Sequence, residues 1–189
     1  MNTLTAVASS TNSSVALYDI DTAHSSAQFS VRHLMISNVR GEFTKVTGTI
    51  AWDPANLAAS KVSVTIDADS LNTREPQRDG HLKSPDFFDV AKYPTLTFES
   101  KEFRQRNEDL QVVGDLTMHG VTREVVLDVE GTTPEVKDPW GVTRIGATAS
   151  TKINRKDWGL NWNTALETGG VLVGEEVKIT LDLEATRKA

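Results

Sequence analysis

LQVVGDLTMHGVTREVVLDVE, residues 110–130, contains two runs of alternating apolar and polar residues, separated by His119-Gly120. The apolar faces of the two runs carry Leu110, Val112, Gly114, Leu116 and Met118, then Val125, Leu127 and Val129. Alternation with a period of two is typical of an antiparallel strand that has one face in the core and the other in water. Because His119-Gly120 favours a turn, the stretch predicts a β-hairpin.

The same alternation recurs on both sides of this hairpin. It is clear at 61–68 and 176–184, and weaker at 15–20, 27–31, 45–52, 95–103 and 144–153. No long helical stripe accompanies these runs, so about eight strands must either pack as a sandwich or close into a barrel. The strands are long, which favours closure, because a barrel leaves no exposed strand edge.

Small residues stand on several of the inward faces: Gly48, Gly114, Ala147 and Ala149. Inside a barrel of eight strands, small residues leave room either for a tapering core or for a ligand. The sequence therefore predicts an all-β fold, an antiparallel barrel with a lumen, and a sandwich is the alternative.

The stretch 72–99, NTREPQRDGHLKSPDFFDVAKYPTLTFE, interrupts the strand pattern. Asn72 with Glu75 resembles a capping box, and Ser84-Pro85-Asp86 resembles a second helix start. The following Phe87-Phe88 supplies more apolar surface than a solvated loop needs. We expect short helical flap segments that paired aromatics seat over one end of the β-structure. The alternative is a crossover that only plugs the core.

Length and composition restrict the class of protein. The 189 residues fit one domain, which we place at 15–189 after a disordered polar tail at 1–14. There is no cysteine, and the net charge of −6 argues against a nucleic-acid partner. No apolar run is long enough for an integral membrane segment. The first residues carry neither a basic leader nor an apolar signal, so a cytoplasmic location is expected. A homodimer is left open.

Catalytic and cofactor motifs are weak. The four histidines lack metal-ligand spacing, and no metal is predicted. There is no G-x-S-x-G elbow and no G-x-G-x-x-G loop, so no catalytic residue and no cofactor is predicted. Asp79 and His81 could form an acid–base pair in a lipid-acting enzyme. A further alternative is an interaction module with a filled core.

Large aromatics also occur in a second irregular stretch, 154–170, where Trp158 and Trp162 stand among polar residues. Such tryptophans either pack on a core edge or line the mouth of a cavity. Together with Phe87-Phe88, they are the aromatics from which an apolar pocket with a few polar groups is built.

A set of short motifs follows in order through most of the chain. They are D-x-x-H-S at 21–25, F-S-V-R-H-L-M at 29–35, V-R-G-E-F at 39–43, R-D-G-H-L at 78–82, D-F-F-D at 86–89, D-L-T-M-H-G-V-T at 115–122 and R-K-D-W-G-L at 155–160. This set resembles the YceI-like family of lipocalin-type proteins. The resemblance implies an extended eight-stranded antiparallel barrel whose apolar lumen holds a polyisoprenoid or similar long-chain amphiphile. It implies a binding or carrier role without catalysis.

Three groups of ligand-binding residues follow from the strand faces and this resemblance. The predicted chain contacts are Phe29, Trp52, Val64, Ile66, Phe98, Leu116, Met118, Leu127, Ile145 and Ala147. The predicted portal residues are Phe87, Phe88, Trp158 and Trp162. The candidate contacts for a phosphate or other polar head are Arg32, His33, Arg78 and His81, for which ion pairing with neighbouring carboxylates is the alternative. The cargo would be an isoprenoid quinone, a prenyl phosphate or a fatty-acid derivative.

Overall fold

The computed structural model of the protein describes residues 15–106, 109–167 and 169–188. These residues form twelve β-strands and one α-helix. The strands are β1 Ala16–Ile20, β2 Ser26–His33, β3 Ser37–Phe43, β4 Val46–Trp52, β5 Lys61–Asp67, β6 Leu71–Asn72, β7 Thr95–Arg106, β8 Asp109–Met118, β9 Val121–Glu130, β10 Val136–Lys137, β11 Thr143–Asn154 and β12 Val173–Arg187; the helix is α1 Pro76–Lys83.

Three pairs of neighbouring strands are halves of longer, bent strands. β1 pairs with β4 while β2 pairs with β3, and β1 and β2 both pair with β12. In the same way β5 pairs with β4 while β6 pairs with β3. When each bent strand is counted once and the two-residue β10 is left aside, eight antiparallel strands follow one another around a closed barrel, which β12 completes by pairing with β11. The predicted all-β, eight-stranded antiparallel barrel is confirmed.

Side chains hold the bends where the backbone ladder is broken. Ser25 is buried, and its hydroxyl donates to the carbonyl of Glu184 and accepts from the amide of Glu184. At a second bend, the amide of Lys45 donates to the hydroxyl of Ser70. These bonds replace ladder partners, because a buried backbone group without a partner is costly.

The small inward residues serve two different purposes. A Cβ at Gly114 would lie 2.5 Å from Cζ of Phe98, and a Cβ at Gly48 would lie 2.1 Å from the carbonyl oxygen of Ser63. At both glycines the packed core, and not room for a ligand, is therefore the observed alternative, because a phenyl ring and a neighbouring strand occupy that space. Ala147 and Ala149 do border free space inside the barrel.

The stretch after β6 contains one helix instead of two. The helix begins after Glu75, whose carboxylate accepts from the amides of Gln77 and Arg78, so the predicted cap at Asn72 is corrected. Ser84 ends the helix, and its carbonyl accepts from the amide of Phe87. Because these bonds close turns at 84–89, the second predicted helix start is wrong.

The sequence pattern did not indicate β3. Its residues SNVRGEF offer only Val39 and Phe43 as large apolar residues on the inward face, with Gly41 between them. A Cβ at Gly41 would lie 2.4 Å from Cζ of Phe29, so the ring of the partner strand covers the gap. An aromatic residue that shields a glycine across a strand pair restores the packing that the glycine lacks.

The structure does not test the predicted tail or the predicted location. The polar tail at 1–14 is not among the described residues, and the cytoplasmic location stays a prediction. In the part of the chain that the structure describes, no helix has the length and apolar character needed to cross a membrane.

Candidate ligand cavity

The barrel encloses a cavity of about 390 Å³. This volume lies in the range of roughly 300–1,000 Å³ that small-molecule sites occupy. All the predicted chain contacts border the cavity: Phe29, Trp52, Val64, Ile66, Phe98, Leu116, Met118, Leu127, Ile145 and Ala147. Alternation along the strands explains this, since every second residue points inward. Contact of these residues with a ligand stays a prediction.

Aromatic side chains close the barrel at the end that carries α1, which we call the helical end. The Trp162 ring lies 4.7 Å from the His81 ring and 5.2 Å from the Phe87 ring, measured between centroids. Phe88 packs edge-on against Phe43 at 5.5 Å. Of the predicted portal residues, Phe87, Phe88 and Trp162 border the cavity. They seat the segment after α1 over the barrel, as the paired phenylalanines suggested.

Trp158 is the exception among the predicted portal residues. Its side chain is 2% exposed and does not border the cavity. Its indole N–H donates to the carbonyl of Leu116 at 3.1 Å, and its own carbonyl contacts Nδ1 of His119. The portal assignment of Trp158 is corrected, because this tryptophan is buried in the hydrophobic core and fixes the 3₁₀ turn Arg155–Trp158 to β8.

Arg155 belongs to the cavity wall, a position that the sequence pattern did not indicate. It is 4% exposed, and its guanidinium donates to the carbonyls of Gly174, Leu160 and Val173. Among the described residues it forms no ion pair with a carboxylate, and burial lowers its pKa below the usual range. In the sequence, only its place in the R-K-D-W-G-L motif could have indicated that Arg155 belongs to the site.

The charged residues around the cavity all have the same sign. Arg32, Arg78 and Arg155 are the cations that border it, beside the imidazoles of His33 and His81, and no aspartate or glutamate within the described ranges does. The chain as a whole contains 26 acidic and 20 basic residues, so this distribution is the reverse of the composition. All five residues lie at the helical end, which gives the cavity one basic end and an otherwise apolar wall.

Most of these basic groups have no carboxylate partner. Arg78 donates to the hydroxyl and the carbonyl of Thr73, at 2.8 and 2.9 Å. Arg32 is exposed at the rim and contacts only the carbonyl of Ile36, at 3.5 Å, among the described residues. His81 is different, since Nε2 lies 2.9 Å from a carboxylate oxygen of Asp86. The ion-pairing alternative therefore describes His81 and not the two arginines.

The proposed acid–base pair of Asp79 and His81 does not form. Asp79 accepts from the amide and the hydroxyl of Thr73, whereas the partner of His81 is Asp86. Residues two apart in a helix project from different faces, which explains the separation. The geometry of this pair gives no support to catalysis.

One group of potential metal ligands occurs in the described part of the chain, outside the cavity. Ligand atoms of Asp21, His24 and Glu184 lie within 4.8 Å of one another. Arg144 donates to Asp21 at 2.7 Å and to Glu184 at 2.6 Å, so both carboxylates already have a cationic partner. The hydrogen bond from Arg144, followed by that from His24, lowers the pKa of Asp21 to about 2. We interpret this group as an ion-pair network that braces the bend between β1 and β2.

Comparison with known proteins agrees with the motifs and the barrel. The sequence model of the YceI-like domain matches residues 18–185. The chain belongs to the YceI-like family. Among curated YceI-like relatives, a UPF0312 protein of Staphylococcus aureus is 40% identical over 169 residues, covering 88% of this chain and 95% of the relative. A UPF0312 protein of Vibrio cholerae is 44% identical over 146 residues, covering 76% and 77%.

Solved structures share the YceI-like barrel. The YCEI protein of Campylobacter jejuni is 35% identical, has a TM-score of 0.69, and covers 84% of this chain and 90% of its own. BcnA of Burkholderia cenocepacia has a TM-score of 0.76 at 24% identity, covering 88% and 99%. A polyisoprenoid binding domain from Saccharophagus degradans has a TM-score of 0.67 at 18% identity, covering 93% and 100%. The last two show the shared fold.

Proposed function

We propose that this YceI-like protein is a non-catalytic carrier that holds a long-chain amphiphilic lipid of the polyisoprenoid type inside its barrel. The observation that carries the proposal is the apolar cavity with basic residues at one end. The description of the Saccharophagus degradans domain, which has the same fold, as polyisoprenoid binding supports this class of ligand.

An apolar wall is sufficient to bind such a chain. Each buried CH2 group contributes about 0.8 kcal/mol, so a prenyl or acyl chain gains affinity along its whole length without any specific polar contact. The same mechanism discriminates poorly between chains of similar width, because one methylene more or less changes little. Selectivity then depends on the polar head.

The basic end of the cavity favours an anionic head. Arg155 is a buried cation that only carbonyl oxygens satisfy, and Arg32 and Arg78 have no carboxylate partner in the described part of the chain. A phosphate or carboxylate placed there would pair with Arg155, which is already desolvated, and with two arginines that have no competing carboxylate. We therefore favour a prenyl phosphate or a fatty-acid derivative over an isoprenoid quinone.

The two alternative functions have less support. The separate partners of Asp79 and His81 leave the lipid-acting enzyme without its acid–base pair. An interaction module with a filled core requires a barrel without free space, whereas the described residues enclose about 390 Å³.

The first experiment is native mass spectrometry of the purified protein, followed by organic extraction of its cargo. We expect a discrete additional mass that extraction removes and that behaves as a long-chain lipid with an acidic head. Protein that carries no lipid and also refuses added prenyl phosphates and fatty acids would contradict the carrier function. If the extracted cargo is a neutral quinone, the carrier function stands and the preference for an anionic head group is contradicted.

A further inference from the structure

The turn between β2 and β3 carries three consecutive apolar residues, the half-buried Leu34 and the exposed Met35 and Ile36, which we call the apolar tip. Met35 is 61% exposed and Ile36 is 80% exposed. Leu34 and Met35 have φ angles of 51° and 58°, and the amide of Ile36 donates to the carbonyl of His33. This geometry matches a type I′ turn, in which Asn-Gly is the favoured dipeptide. The apolar tip therefore has neither the polarity nor the residue types that the turn itself favours.

The charges beside the apolar tip are positive. Residues 22–41 contain two arginines and two histidines but no aspartate or glutamate, in a chain whose net charge is −6. Arg32 and Arg40 flank the tip on β2 and β3, and both are exposed. Within the described ranges neither forms an ion pair with a carboxylate, whereas other exposed cations, such as Lys101 and Lys152, do.

The apolar tip lies beside the basic end of the cavity. The amide of Leu34 donates to the carbonyl of Leu172 at 2.9 Å. Leu172 and His33, which precedes the tip, both border the cavity. The strand order places the tip at the helical end, because successive connections of an up-and-down barrel alternate between its two ends.

We propose that the apolar tip docks the protein onto an anionic lipid surface and so brings the basic end of the cavity to the membrane. The exposed side chains would enter the interface between head groups and acyl chains, and Arg32 and Arg40 would contact the negative head groups. The inference rests on the proposed function, since a carrier must exchange its lipid with a membrane. An anionic lipid surface offers an apolar interior for the tip and negative head groups for the two arginines. An apolar groove on a protein would account for the tip but not for the arginines.

The test measures co-sedimentation of the protein with vesicles of phosphatidylcholine and phosphatidylglycerol that contain no prenyl phosphate. In the variant L34N/M35G the favoured turn dipeptide replaces two apolar residues, so its thermal stability should equal or exceed that of the wild type. We expect its affinity for these vesicles to fall at least about tenfold, since burial of a large apolar side chain is worth that factor or more. I36E should show a similar loss. Binding of the wild type should weaken as salt is added.

Trp140 supplies the matched control. It is 85% exposed, and it stands in the connection between β10 and β11 at the opposite end of the barrel. We expect W140A to bind the vesicles as the wild type does. Loss of binding in W140A, or undiminished binding in both tip variants, would overturn the proposal.

Uptake of a dispersed prenyl phosphate, measured without vesicles, separates docking from cargo binding. The tip residues do not border the cavity, so both tip variants should take up the dispersed lipid at the wild-type level. If the wild-type protein takes up this lipid but does not bind vesicles, the carrier function stands and docking to a membrane is rejected. The apolar tip would then contact a protein partner instead. A protein that binds vesicles but takes up no lipid would reject the carrier function alone.

Discussion

Arg155 places a buried positive charge in the wall of an apolar cavity, and within the proposed carrier function this charge favours a ligand with an anionic head. Its guanidinium donates to three backbone carbonyls, so it also ties the segment after β11 to the start of β12. The two roles can be separated experimentally, because only the first depends on the charge of the ligand.

Arg155→Met should weaken binding of farnesyl phosphate much more than binding of farnesol, since these ligands share a chain and differ in the head. The variant should also lose stability, because a buried carbonyl left without its donor costs roughly 1–3 kcal/mol. Titration of both ligands, with Arg155→Lys as the charge-preserving control, checks this. Equal losses for the two ligands would make Arg155 a structural residue only.

Ala147 lies on β11 and borders the cavity. A larger side chain at this position tests whether a bound lipid chain occupies the cavity. Ala147→Trp should lower lipid uptake by at least about tenfold, because displacing even two CH2 groups of a bound chain costs roughly 1.6 kcal/mol. Thr148→Trp is the matched control, since Thr148 is exposed on the outer face of the same strand. Full uptake in a folded Ala147→Trp variant would show that the chain does not pass this position.

Among the elements, the bend between β1 and β2 depends on the ion pairs of Arg144. Asp21 has a folded-state pKa of about 2, below the value near 4 of an unfolded chain, so its pairing stabilises the fold above pH ~4. That contribution is lost as the pH falls through the folded pKa. The same guanidinium, as the largest cause, lowers the pKa of Asp138.

Arg144→Met should therefore lower the Tm by several degrees near neutral pH, and the difference from the wild type should shrink as the pH falls from about 4 to about 2. Thermal unfolding followed by circular dichroism across this range measures it. Lys152→Met is the control, because the Lys152–Glu176 pair is well exposed and should contribute little. A Tm difference that is independent of pH would mean that packing of the Arg144 stem, and not its ion pairs, holds the bend.

How far each element could be predicted depended on how much apolar surface it buries by itself. The hairpin 110–130 carries seven large apolar residues besides Gly114 on its inward face, so alternation located both strands. β3 has a glycine in the middle of its inward face and relies on Phe29 of the neighbouring strand, so its pattern is too sparse to read alone. The helix cap depends on the carboxylate of Glu75, whereas the spacing of a capping box indicated Asn72.

For the molecule as a whole, the closed barrel and the residues that face its interior followed from periodicity and from the resemblance to YceI-like proteins. The details at the helical end did not. Trp158 and Trp162 are four residues apart in similar polar surroundings, yet one packs against β8 and the other against α1. That choice depends on contacts between segments distant in sequence, as does the burial of Arg155 under the carbonyls of β12.

The position of β12 in the barrel has a consequence for biosynthesis. β12 pairs with β1 and β2, near the start of the described chain, and with β11 immediately before it. Until residues 173–187 have left the ribosome, the nascent polypeptide can form at most an open sheet with two unpaired edges. The lumen can be enclosed only after this strand is synthesised, so the proposed carrier would take up its lipid after that point, and a stalled or truncated chain would expose both edges to aggregation.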